Sequence, residues 1–489
     1  MKRKSYKRLA VGVGLVLVFL IAFVATNMFD APRPDGVYTP EDLSPASLDK
    51  ENGYFLMMAF SYPGDVDIKS TEVVERIRSF SKPDVLNQGP PAFDSLLRAH
   101  RASIGSLFME GDSHFLKDLI VHPERISTHE EQVAALLKQN PVMSERFMGL
   151  LNASRIEDFS LPAYTYPVAD VALVSRMARL FLVHNVLDAQ AGDWDKGVTG
   201  ILKQIALFRK LGAAGRQFVN RALSYNRLGE SLRVLAFVVD RKGCPRKTLQ
   251  MVLDQLEKMD KPSLGIRNLL IFDFLSARNG LDAINRGEMK PFGSVGVLSA
   301  GFWPDQSDWL NFLSRFGIFL HQNRTMRYYL DEIAAVIDLE SRAPFLWKDG
   351  EWERRPIHPC KGWFWWFRNP VGKAIMAIGF PNYRPLIDQK YQTLALVDLV
   401  RIGVRARLRF REGDAVSDIQ AELARYSEID PFSGKAYRYR NDKQVVYSLG
   451  VNGVDDGGDG GLDESRNPRD LVIPLSVDPG GAVLTFNRF

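Results

Sequence analysis

Residues 455–470 place four aspartates (Asp455, Asp456, Asp459, Asp463), Glu464 and Asp470 beside only two cations, Arg466 and Arg469. Carboxylates held this close repel one another. Hard oxygen donors in a glycine-rich loop suit Ca²⁺, which takes six to eight oxygens and tolerates irregular geometry. A bound ion would relieve the repulsion and order the loop. The pattern matches no standard calcium loop: an Asp-x-Asp-x-Asp-Gly run ending in Glu is missing, and "GGDGGL" has Leu462 where a repeat-type calcium motif carries Asp. Composition alone is equally that of a disordered, acidic segment.

Other chemistry is sparse. The chain lacks HExxH, paired CxxC, a Walker loop and GxSxG; "GVLSAG" has no glycine two residues before its serine. "SFSK" (Ser79–Lys82) fits SxxK in form, but Pro83 follows and the companion motifs are missing. His122, Glu124 and His129 are near neighbours without the spacing of one helix face, and read as a loop and a helix start. His184 lies on an apolar helical face, as a satisfied core histidine does. Tyr328 and Tyr329 read as packing residues, and no catalytic residue is assigned.

The flanks of the acidic loop carry more information. "DPFSGKAYRYR", "YSLGVNGVDDGG" and "RDLVI" resemble the C-terminal part of the major pseudopilin of type II secretion. That family ends in a DP-x-G turn, a Tyr-x-Tyr strand, a "YSLG" strand with a Gly/Asp loop, and an acid before Ile. The resemblance covers residues 430–473 and implies a small β cap whose loop binds Ca²⁺. It implies a backbone carbonyl of Leu449 and the carboxylate of Asp470 as ligands, with others from Asp455, Asp456, Asp459 or Asp463. It stops short of the N-terminus, where no pilin methylation motif occurs. The whole layout also resembles membrane-anchored bacterial proteins with an "ENGYFL"-like segment, a helical body with "NRTMRYY", and a last helix leading into "IDPFSGKAYRYR". That second likeness implies location and architecture without a reaction.

The elements that must position this loop are largely helical. Four stripes of period 3.6 fill Val168–Met259. The first carries Leu173, Met177, Leu180, Phe181, His184 and Leu187, and the second Val198, Ile201, Leu202, Ile205 and Phe208. The third carries Phe218, Ala222, Tyr225, Leu232 and Leu235, and the fourth Leu249, Val252, Leu253 and Leu256. Short breaks ("AGDWDKG", "KLGAAG", "DRKGCPRK") join them, so neighbours are expected to pack as antiparallel hairpins. The "A-x-x-GDW" turn is similar to that of tetratricopeptide helix pairs, but the full repeat signature is missing. "THEEQVAALLKQ" reads as a helix opened by a capping box from Thr128 to Glu131. "NRTMRYYLDEIAAVIDLES" and "YQTLALVDLVRIGVRARLRFREG" read as two more helices. "AYRYR", "QVVYSLG" and "DLVIPLSV" read as short strands.

Charge and hydropathy place the chain. Of 489 residues, 46% are hydrophobic and 25% charged, an ordinary globular composition. Lys2, Arg3, Lys4, Lys7 and Arg8 account for the whole net charge of +5, so the rest is balanced and offers no basic stripe for nucleic acid. "LAVGVGLVLVFLIAFVAT", Leu9–Thr26, is long enough at about 1.5 Å per residue to span one hydrocarbon core. Cations before it and Asp30 after it favour a cytoplasmic N-terminus and an exported bulk. A cleaved signal peptide is the alternative; the length of the run and the poor site in "AFVAT" favour an anchor. Cys244 and Cys360 are either bridged or two buried thiols. "GWFWWF" (Trp363–Phe367) is either an interfacial aromatic cluster or a buried loop.

The expected molecule is mainly α. It has an N-terminal transmembrane helix (1–28), a linker (29–50), a body of irregular helical hairpins (51–411) and a small pseudopilin-like β cap (412–489). The expected role is a non-enzymatic periplasmic scaffold on the bacterial inner membrane. It would work with envelope proteins and hold Ca²⁺ as its cofactor. Two alternatives stand beside it: an envelope hydrolase with scattered active-site acids, and an accessory component of a secretion or pilus-like system.

Overall fold

The computed structural model describes residues 17–19, 21–24, 29–34, 37–43, 46, 51–60, 68, 70–71, 73–75, 110–162, 171–259, 264–286, 320–353, 369–410, 419–461 and 469–475. Most of the anchor run, the "GWFWWF" cluster, "SFSK", "GVLSAG", Cys360 and Asp463 lie outside them. Within the run, residues 17–19 and 21–24 are helical. No helix among the described residues is long and apolar enough to cross a membrane.

The body is built on four successive helices where the periodicity places them; the second packs on the first and third, and the fourth packs on the second rather than on the third. In the order of the described elements these are α5 (Val171–Gln190), α6 (Trp194–Ala214), α7 (Phe218–Val239) and α8 (Arg246–Glu257). Before them come α1 (Gly53–Met58), α2 (Glu110–Val121), α3 (Glu130–Gln139) and α4 (Pro141–Leu151). Asp193 caps α6, its Oδ1 accepting from Lys196 N at 3.2 Å. Gly197 lets α6 approach α5 closely: a Cβ there would stand 2.4 Å from the Asn185 carbonyl oxygen. Leu180, Val183, Ile201, Phe208, Leu228, Leu232 and Leu235 are sealed in the shared core.

Further on come α9 (Arg267–Asn285), α10 (Gln322–Ser341), α11 (Pro370–Gly379) and α12 (Arg384–Phe410). The last is the longest described helix. It packs on α7 and α8 along one side and on the sheet along another. After it, α13 (Ile419–Leu423) leads to β1 (Arg438–Arg440), β2 (Val445–Ser448) and β3 (Leu471–Pro474). These form an antiparallel sheet in the order β1-β2-β3, with Tyr439 opposite Val446 and Tyr447 opposite Val472. The described chain is therefore mainly helical with one small sheet.

Two local expectations change. Thr128 does not open a capping box. It lies inside a 3-10 turn, Pro123–His129, and its Oγ1 donates to the Arg125 carbonyl at 2.7 Å, which leaves His129 at the N-cap of α3. The proline at the start of the turn organises the chain upstream of the residues the box would use. The described part of the expected linker is laid against the body. Asp30 caps α10: Oδ2 accepts from Asn323 N at 2.7 Å and Oδ1 from Arg324 N at 3.2 Å. Tyr38 packs edge-on against Phe274, and its carbonyl accepts from Arg278.

Candidate metal centre

The cap begins with Asp430, the acid of the "DPFSG" turn. Its Oδ1 accepts from Phe432 N at 3.1 Å and Ser448 Oγ at 2.7 Å; its Oδ2 accepts from Ser433 Oγ at 2.8 Å and Leu449 N at 3.3 Å. One buried carboxylate thereby ties the turn to the end of β2 and holds Leu449 in place. This is the hinge of the cap, and the sequence reading gave it no role; an Asp heading a turn and followed by Pro was the available signal.

The loop after β2 separates the four described acids into two kinds. Asp455 is neutralised by Arg438 and also accepts from Tyr447 Oη at 3.1 Å. Asp459 pairs with Arg469 at 2.7 Å and accepts from Gly461 N at 3.1 Å. That pairing and the Gly461 amide outweigh partial burial and hold its carboxyl below the usual range. Among the described residues, Asp456 and Asp470 have no arginine. Asp456 accepts only from the amide of Asn452, at 3.0 Å.

Asp470 is the most constrained of the four. Residue and side chain are fully buried. Oδ2 accepts from Gly458 N at 2.7 Å, while Oδ1 has no hydrogen-bond partner. Burial pushes this carboxyl up to about 6. The amides of Gly458, Asp456 and Asp459 partly offset that, and the Asp456 charge adds to it. A buried oxygen left unmade costs about 1–3 kcal/mol, more if charged. The arrangement is an acidic pair, Asp456 with Asp470, beside the glycine backbone at Gly457 and Gly458.

Of the six residues expected to ligate, Asp456 and Asp470 converge. Leu449 lies at the start of the same loop, fixed by Asp430. Asp455 and Asp459 face arginines instead, and Asp463 lies outside the described residues. No group of three or more His, Cys, Asp or Glu side chains in metal-binding proximity occurs among the described residues. What the described residues bring together is two carboxylates, hard oxygen donors of the kind Ca²⁺ takes, with backbone amides rather than carbonyls directed at Asp470. The arginines that divide the acids, Arg438 and Arg469, were present in the sequence, but only the strand register brings Arg438 across to Asp455.

The remaining candidates resolve into packing. His122 Nδ1 lies 3.5 Å from Glu124 Oε1, and His129 stacks edge-on against Phe115. His184 is half-buried, 3.8 Å from Asp188. Tyr328 lies under the Lys373 ammonium. Tyr329 is buried, as is Cys244. No protein-family model, curated protein or solved structure matches the chain.

Proposed function

We propose that the chain is a non-enzymatic, single-pass scaffold of the bacterial inner membrane, its bulk in the periplasm, with a C-terminal cap locked by Ca²⁺. The observation that carries the calcium reading is the buried, unpartnered Oδ1 of Asp470 beside Asp456. A cation there relieves an uncompensated buried charge. Gly457 and Gly458, with φ of +68° and +69°, allow the peptide units to re-aim from amide toward carbonyl donation. Membrane attachment rests on the charge-flanked apolar run Leu9–Thr26. The scaffold role is supported by ion pairs that join helices of the body, among them Arg179 with Glu230 and Lys390 with Glu340.

Thermal unfolding of the full chain in detergent tests the calcium reading. A ligand at about a hundred times its dissociation constant adds about 2.7 kcal/mol to the state that binds it. EDTA should therefore lower the transition of the cap by several degrees, and excess Ca²⁺ should restore it. Asp470→Ala, and independently Asp456→Ala, should abolish the response. A transition indifferent to both EDTA and Ca²⁺ removes the metal from the proposal.

The hydrolase alternative needs two desolvated carboxylates in one cleft. The desolvated acid of the body, Asp273, is faced by tyrosines, and among the described residues no second carboxylate acts on it. The secretion-linked alternative keeps only the likeness of residues 430–473, and crosslinking from membranes separates it from an independent scaffold.

A further inference from the structure

Several desolvated acids of the body are met by a cation. Glu340 is met by Lys390 Nζ at 2.5 Å, Glu230 by Arg179 at 3.0 Å, Glu428 by Arg405 at 2.6 Å, Asp398 by Arg401 at 3.2 Å and Asp388 by Arg384 at 3.0 Å. Each of these five has a guanidinium or ammonium, as burial favours; buried Asp158 has three donors in place of a cation, the amides of Ser160 and Arg216 and the side chain of Asn220. Asp273, on α9, has no cation and only one donor among the described residues. It is strongly desolvated, and its only described partner is Tyr383, whose hydroxyl donates to Oδ2.

Its surroundings are aromatic. Tyr38, Phe274, Tyr329, Phe380, Tyr383 and Phe218 form a continuous chain of rings, with successive centroids 5.0–6.3 Å apart and mostly edge to face. Tyr329 and Tyr383 are buried, yet Asp273 keeps part of its surface accessible. With Oδ2 taken by Tyr383, Oδ1 is left for an incoming donor. Ser276 stands one turn further along the same face of α9, and its Oγ is buried without a hydrogen-bond partner. The side chains that meet here come from α9, α10 and the approach to α12, three separate stretches of the chain.

We infer that Asp273, Ser276 and the flanking rings of Tyr329 and Tyr383 form a binding site for a primary alkylammonium group. Such a group supplies the cation that the protein withholds from Asp273. Its three N–H donors match Oδ1 and Ser276 Oγ with one to spare for a ring face. The π faces of the surrounding rings favour a cation and suit the alkyl stem. A neutral alcohol of the same shape would satisfy the hydrogen bonds without the charge. This site is independent of the cap and of its metal.

The test is calorimetric titration of the full chain in detergent with n-butylammonium, with n-butanol as the neutral isostere. Butylammonium should bind saturably above neutral pH and butanol should not. Asp273→Asn should weaken binding at least about tenfold, the expected result of removing one partner of a desolvated charge pair. Ser276→Ala should weaken it less. Acidification below neutrality should also release the ligand, since the ammonium stays charged while Asp273 takes up a proton; the other titratable groups facing it, Tyr329 and Tyr383, stay neutral throughout. Should Asp273→Asn fail to fold, the butanol comparison and Ser276→Ala on folded protein carry the decision. Equal binding of butanol, undiminished binding by a folded Asp273→Asn, or no saturable amine binding to the wild-type chain overturns the assignment.

Discussion

Asp273 and Asp470 are both carboxyls lifted by burial, and they differ in what surrounds them. Asp470 sits among backbone amides with a second acid nearby; Asp273 sits among phenol rings. Burial raises Asp273 from its ordinary 3.8 to about 7. The folded state therefore holds a proton that the unfolded state releases, and stability falls as pH rises between those two values. Asp273→Asn removes that slope. Urea unfolding from pH 4 to pH 8 should show the variant gaining on the wild type by a few kcal/mol as pH increases, with little difference at the acid end. The sequence exposed Asp470 through its loop and its neighbours. It hid Asp273, which lies in an unremarkable helix ("LLIFDFLSARNG") and gains its meaning from Tyr329 and Tyr383, residues 56 and 110 positions away along the chain.

At the scale of elements, helices were legible and joints were not. Periodicity located α5 to α8 because each buries one stripe, and the burial of Leu180, Ile201, Leu232 and Val252 follows that stripe. How closely two helices approach depends on a single small residue facing a backbone, which periodicity does not encode. Gly197 shows this. Gly197→Ala drives a methyl into the Asn185 carbonyl and must part α5 from α6, costing roughly 1–3 kcal/mol by urea titration. Gly111→Ala on α2, where a Cβ meets nothing within 4 Å, should be neutral or slightly stabilising in the same assay. The capping box at Thr128 failed for a related reason: a proline five residues upstream set the local turn before the side chain could act. The strands were legible from their turn residues, and their register then paired Arg438 with Asp455, a partnership that removes one expected ligand.

At the scale of the molecule, α12 is the spine that joins body to cap. Arg401 bonds the Leu256 carbonyl at 2.8 Å and faces Asp398 and Glu428; Arg405 bridges Glu257 and Glu428. Tyr437 of the cap reaches Asp398 at 3.4 Å. These groups pin the cap to the end of α8, so order in the Gly/Asp loop is felt at the body rather than confined to a tail. The other end is secured by Asp30. Replacing it with alanine should cost about 1 kcal/mol and speed hydrogen exchange at the Asn323 and Arg324 amides about fivefold.

That cap on α10 also sets a leash. Only residues 27–29 separate the end of the apolar run from Asp30. Even fully extended, with the step from Thr26 to Asp30 counted, they reach about 14 Å. On the proposed anchor, the start of α10 hovers within one headgroup layer or so of the bilayer and cannot swing outward. If the proposed anchor holds, the body would keep one face to the lipid, and its partners would have to meet it near the membrane surface.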